Sequence, residues 1–155
     1  MKQIFSILFV AFALSLTALA QENIDLQING VEIETTEAEV IQKLGKPSSR
    51  KKVTGDECQG SLLRLLYPGL ILTLEDGNSD EKVVVATAAV TSPKWFFSGI
   101  YIGASISEVQ KKFGISKSER KKGLDYLYYT IGDGGAEFIF QKGKLVKIYW
   151  EFNFC

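Results

Sequence analysis

Apolar and polar residues alternate along most of this chain, in short runs broken by glycine- and asparagine-containing turns. Alternation of period two marks strands that lay one face on a core. In IDLQINGVEIE, Leu26 and Ile28 precede an Asn29-Gly30 pair, and Val31 and Ile33 follow it. Asn and Gly accept the positive φ of a type I′ turn, so this stretch predicts a hairpin. Thr36-Glu37-Ala38-Glu39 is then a capping box: the threonine hydroxyl accepts from the amide three residues on, whose own carboxylate reaches back. Val40, Ile41 and Leu44 supply the apolar stripe of a helix of about two turns; Gly45 stops it and Pro47 bars its resumption.

The same signals recur 69 positions later without a gap. Gly30, Glu39, Val40, Lys43 and Gly45 reappear as Gly99, Glu108, Val109, Lys112 and Gly114, and Thr36/Ser105 and Leu44/Phe113 are conservative pairs. An internal duplication accounts for this register. Arg50-Lys51-Lys52 follows the first helix and Arg120-Lys121-Lys122 the second. Apolar segments 62–67 and 124–129 come next, then turns at Pro68-Gly69 and Gly132–Gly135, then hairpins pairing 70–75 with 83–90 and 136–141 with 145–154. The last strand puts Val146, Ile148, Trp150, Phe152 and Phe154 on a core face, with Leu145, Lys147, Tyr149, Glu151 and Asn153 opposite. The expected fold is α+β: two tandem repeats, 21–92 and 93–155, each a short helix packed on one face of an antiparallel β-meander, joined as one globular body.

The string I-x-I-G-x-S-x-x-E-V-x-x-x-F-G at 100–114, with its meander, resembles the repeats of the β-lactamase inhibitor protein family. It is also similar to the SmpA/OmlA small lipoproteins of the outer-membrane barrel-assembly machinery. The resemblance implies short helices on one face of an antiparallel sheet, two such units in tandem, export, and by analogy a role in binding other proteins.

Ahead of the first repeat, Lys2, the apolar run Ile4–Leu19 and the small-x-small triplet Ala18-Leu19-Ala20 predict a signal peptide, 1–20, cleaved before Gln21. The run is short for a membrane-spanning helix, and no cysteine at the cleavage position offers a lipid anchor. The expected destination is the periplasm or the extracellular space. The chain has 18 basic and 18 acidic residues, a balance that argues against a general nucleic-acid binder. Cys58 and Cys155 would then sit in an oxidising compartment. A disulfide between them would close a loop of about a hundred residues and add ~4–5 kcal/mol on the chain-entropy model. An intermolecular bridge and two free thiols stay open as alternatives.

The chain has no histidine, which removes Ser-His-Asp and Cys-His nucleophilic sites and histidine metal ligation. Asp76, Asn78 and Asp80 have the spacing of a calcium loop, but Glu81 stands where that loop needs glycine and Thr87 where it needs glutamate. No catalytic residue, metal site or cofactor is expected, and the reading is not of an enzyme. The expected function is that of an exported interaction protein, binding another protein or an envelope component through an exposed sheet face. Tyr149, Ile139, Lys147, Tyr128 and Tyr129 are the contact candidates, one of the two adjacent tyrosines necessarily pointing outward. The alternative is a small-ligand or anionic-lipid binder in peripheral contact with a membrane. Its patch would be Arg50, Lys51, Lys52, Arg120, Lys121 and Lys122. Lysine-guarded strand edges explain the same triplets without a ligand.

Overall fold

The alternating runs pair into a single antiparallel sheet. The computed structural model describes residues 26–55, 61–76, 83–131 and 134–152. The expected signal peptide, both cysteines, the 78–80 part of the acidic loop and Phe154 lie outside them. The strands are β1 (Ser49–Thr54), β2 (Ser61–Tyr67), β3 (Leu70–Asp76), β4 (Val83–Val90), β5 (Ser118–Lys121), β6 (Leu124–Ile131), β7 (Gly134–Gln141) and β8 (Lys144–Phe152). Their spatial order is β1-β2-β3-β4-β8-β7-β6-β5. Two helices, α1 (Glu37–Leu44) and α2 (Ile106–Phe113), precede the two meanders.

This corrects the α+β expectation: the protein is mainly β, one eight-stranded sheet with two eight-residue helices. Two physical reasons lie behind the difference. The basic triplets, placed between helix and meander and read as a solvated loop or a lysine-guarded strand edge, form the edge strands β1 and β5, so each meander has four strands rather than three. In addition β4 pairs with β8 through Thr87↔Glu151 to Val90↔Ile148, which merges the meanders into one sheet. The helices contribute little to the core. Only Val40 of α1 is buried; Ile41, expected on the apolar stripe, is exposed, and α2 buries Val109 and Phe113.

Much of what covers the core face is instead turn. The expected hairpin at 26–33 contracts to a two-residue turn closed by Ile28 N–H to Val31 O, 2.8 Å, and Val31 N–H to Ile28 O, 2.9 Å. Asn29 and Gly30 take φ of 49° and 83°, the type I′ combination. Phe97 and Ile100 close a second such turn with two 2.8 Å bonds. The two turns bond to each other reciprocally, Asn29 N–H to Phe96 O at 3.2 Å and Ser98 N–H to Gln27 O at 2.8 Å. Ile28 and Phe97 are thereby fully buried, and Phe97 meets the rings of Trp150, Phe138 and Phe113 with centroids 5.5, 5.8 and 6.1 Å away. Burying a side chain of this kind stabilises by about 1.5–3 kcal/mol.

Each helix is held at both ends by local chemistry. Thr36 and Ser105 make full capping boxes with Glu39 and Glu108, the return bonds from cap amide to carboxylate measuring 2.9 and 2.7 Å. At the other end Gly45 and Gly114 have φ 83° with ψ −177° and φ 90° with ψ 173°. That is not the left-handed helical conformation but a region essentially restricted to glycine. Tyr67 and Tyr129 each donate a hydroxyl to one of these carbonyls, at 3.0 and 2.8 Å. The helix ends are thus tied to β2 and β6.

Strict alternation fails at one place in each half. In β7–β8 the register steps from Ile139↔Lys147 to Phe140↔Leu145, leaving Val146 as a bulge. Leu145, expected outward, is therefore 1% exposed and in the core, while Val146 is only half-buried. In β3–β4 the step from Thr73↔Thr87 to Leu74↔Val85 leaves Ala86 in the same role. A bulge shifts side-chain parity because two residues on one strand face one on its partner.

Two outcomes follow. Gly114→Ala should destabilise the fold by ~1–3 kcal/mol, read from the urea midpoint, because alanine is strained in that backbone region. The second concerns Glu108, whose carboxyl is held below its ordinary range chiefly by the Ser105 backbone N–H and then by the Ser105 hydroxyl. A depressed folded-state value means stabilisation present above the ordinary glutamate range and lost as pH falls through the folded value. The stability gap between the native protein and Glu108→Gln should therefore be open at neutral pH and close in urea melts run in acid.

Candidate functional site

The pleat that buries Leu127, Ala136, Phe138, Phe140, Ile148 and Trp150 turns their neighbours to the opposite, outer face of the sheet. Register then aligns those neighbours in rows across the strands. One row runs Leu66–Ile71–Ala89–Tyr149–Glu137–Tyr128 from β2 to β6. Beside it runs Thr87–Glu151–Gly135–Thr130, and on its other side Lys147–Ile139–Tyr126. The row through Thr87 continues over the first meander as Thr73 and the exposed Arg64, so the face there mixes aliphatic residues with one cation, while over the second it is aromatic and charged.

Of the residues the sequence nominated, Tyr149, Ile139, Lys147 and Tyr128 come together on this face. Tyr129 does not: its ring packs inward on Phe113 and Phe138, with centroids 5.4 and 5.6 Å away. Tyr128 is its outward counterpart, 43% exposed. Tyr126, not nominated, stacks on Tyr128 with centroids 6.2 Å apart and planes 8° from parallel. It sits two residues before Tyr128 on β6, so strand parity was the signal that could have found it. Lys147 sets its ammonium 5.9 Å from the centroid of Tyr149.

Tyrosines and carboxylates are neighbours here. The Tyr149 phenol is raised above its ordinary value, first by burial and then by the charge of Glu151. The Tyr128 phenol is also raised, first by desolvation and then by the neighbouring Glu137 carboxylate. With both phenols raised, they stay protonated at neutral pH and keep a hydroxyl donor on this face. Between them lies a concavity of about 510 Å³, lined by Tyr128, Thr130, Gly135, Glu137, Tyr149 and Glu151 together with strand backbone at Tyr129, Gly134 and Ala136. Gly134 and Gly135, expected in a turn, belong to strand β7.

The basic triplets lie elsewhere. Arg50–Lys52 is on β1 and Arg120–Lys121 on β5, the two outermost strands, with Lys122 in the turn that follows β5. Seven interstrand spacings put them roughly 33 Å apart. Arg50 engages Glu37 through two bonds of 2.6 and 2.7 Å, Lys121 pairs with Glu119 at 2.9 Å, and Arg120 approaches Asp125 at 3.7 Å. All six basic side chains are exposed. Among the described residues no group of His, Cys, Asp and Glu could hold a metal ion, and no helix is long and apolar enough to cross a membrane. A second exposed aromatic pair, Phe96 and Tyr101, meets edge to face at 6.4 Å beside the 97–100 turn. Alternation with buried Trp95 and Phe97 marks Phe96 as outward.

No protein-family model and no curated protein matches this chain. Among solved structures it is similar to an extracellular protein containing a SCP domain from Bacillus anthracis str. Ames, with 17% identity and a TM-score of 0.53. That likeness covers 99% of this chain and 50% of the other, so this chain spans about half that protein's length. It is also similar to a DUF4309 family protein from Bacillus subtilis subsp. subtilis str. 168, with 14% identity, a TM-score of 0.45, and 80% and 83% of the two chains covered. At 17% identity the first likeness shows a shared fold alone.

The adjacent tyrosines should separate cleanly. Tyr129→Phe loses the bond to the Gly114 carbonyl and should destabilise by ~0.5–1.5 kcal/mol, whereas Tyr128→Phe, on the exposed face, should stay within about 0.5 kcal/mol of the native protein in urea denaturation.

Proposed function

We propose that this is an exported, non-enzymatic protein that binds another protein or an envelope component through the outer face of β6, β7 and β8. The observation that carries the reading is the gathering of Tyr126, Tyr128, Ile139, Lys147 and Tyr149 on that one face. Tyrosine gives rigid, amphipathic contact area at low entropic cost, and such faces serve as recognition surfaces. The lack of histidine supports a role without nucleophilic chemistry, and the leader pattern at 1–20 supports export. The anionic-ligand alternative draws on two triplets at opposite ends of the sheet, three of whose cations already pair with carboxylates.

The test is capture of partners from the native envelope fraction and culture medium by the tagged protein and by the double variant Ile139→Ser/Tyr149→Ser. Circular dichroism and the urea midpoint would confirm that the variant is folded. The expected result is a loss of affinity of about thirtyfold or more for the captured species, the scale of an interface hot spot. Capture unchanged in the folded variant overturns the sheet-face reading.

A further inference from the structure

We infer that the concavity over Gly135 is the seat for one basic side chain, a lysine or arginine, projecting from the protein partner. The inference rests on the sheet-face reading above and names the chemistry that face selects.

The depth of the site comes from a missing side chain. Gly135 stands outward on β7, with Thr130 opposite on β6 and Glu151 opposite on β8. Its backbone does not require glycine, since it has no positive φ. A Cβ built there would meet only the Tyr129 carbonyl oxygen, at 3.4 Å, which is ordinary contact. Any residue suited to a strand could stand at 135, and the gap in the row is what opens the face. Gly134 differs, because a Cβ there would lie 2.4 Å from the Glu151 carbonyl oxygen and so could not be accommodated without movement.

The walls set the chemistry of the occupant. The lining contains two carboxylates, Glu137 and Glu151, and no lysine or arginine. Glu137 stands between Tyr128 and Tyr149 in its cross-strand row, and Glu151 stands between Thr87 and Gly135 in the next. A carboxylate has about four lone-pair sites, so each can accept from an incoming ammonium or guanidinium. The tyrosine rings give the alkyl stem an apolar surface, and a cation is attracted to a ring face. A volume of about 510 Å³ takes a long side chain with part of its neighbours. The cations nearest these walls, Lys147 beside Tyr149, Arg64 in the row of Glu151 and Lys121 near Tyr128, stand outside the concavity, and only carboxylates line it.

The test is a titration of the isotope-labelled full chain with a heptalysine peptide, followed by amide chemical shifts, with the fully Nε-acetylated peptide as the uncharged control. Shifts should cluster at 128–130, 135–137 and 149–151. Affinity should fall about tenfold or more for the acetylated peptide, for Gly135→Val, and for the isosteric double variant Glu137→Gln/Glu151→Gln. The glutamine pair keeps the inference testable if valine at 135 perturbs the strand. Equal binding of the acetylated peptide, unchanged binding by the glutamine variant, or no shifts at these residues would each overturn it. If lysine binding fails here while Ile139→Ser/Tyr149→Ser still loses its partner, the basic-side-chain seat falls and the sheet-face reading stands; if both fail, both fall.

Discussion

Two backbone hydrogen bonds, Asn29 N–H to Phe96 O and Ser98 N–H to Gln27 O, hold the layer that closes this protein's core. An eight-stranded sheet with one apolar face needs a cover, and two eight-residue helices cannot supply it alone. The paired turns fill the gap between them. Because each turn saturates its own closing groups and then bonds to the other, Ile28 and Phe97 are buried with their backbone N–H and C=O groups paired while the turn tips face solvent. Ile28 and Phe97 are carried inward as a consequence, and the aromatic cluster around Phe97 links β7, β8 and α2.

What the sequence revealed was local chemistry. The Asn29-Gly30 turn, both capping boxes, both helix-stop glycines and most hairpin turns depend on residues within a few positions of each other, so their signals are self-contained. The pairing of β4 with β8 is not of that kind. Nothing within VVVATAAV specifies its second neighbour, and without that seam the chain reads as two units rather than one sheet. The lysine-rich triplets hinted at strand edges, but β1 and β5 were not counted into the meanders because strands exposed at most positions carry no alternation to detect. The Val146 bulge reversed the parity of Leu145, a change legible only from the partner strand. Of the outer face, Tyr149, Ile139 and Lys147 followed from simple alternation. The place of Gly135 did not, because a glycine-rich run looks like a turn until its partners on β6 and β8 are known.

The two meanders share a framework and differ in what they display. Tyr67 and Tyr129 tether equivalent helix ends, and Glu34 and Gly103 donate to Val85 and Leu145 at corresponding points of β4 and β8. Outward, the first meander shows Leu66, Ile71 and Ala89 where the second shows Tyr128, Glu137 and Tyr149. Side chains on that face lie outside the core cluster, so their identity is largely independent of what keeps the chain folded. Recognition chemistry can vary there without disturbing the scaffold.

The seam between β4 and β8 has a consequence for the two halves as separate objects. The outermost strands carry arginine and lysine, which discourage a further strand from joining, but β4 has no charge and no proline along Val83–Val90. Severed from its other half, that strand would be a bare apolar template, open to a second copy of itself or to a growing stack. Carrying both halves on one chain presents β8 to β4 intramolecularly, ahead of any second molecule. Covalent continuity thus serves as the protection that this edge lacks in its own side chains.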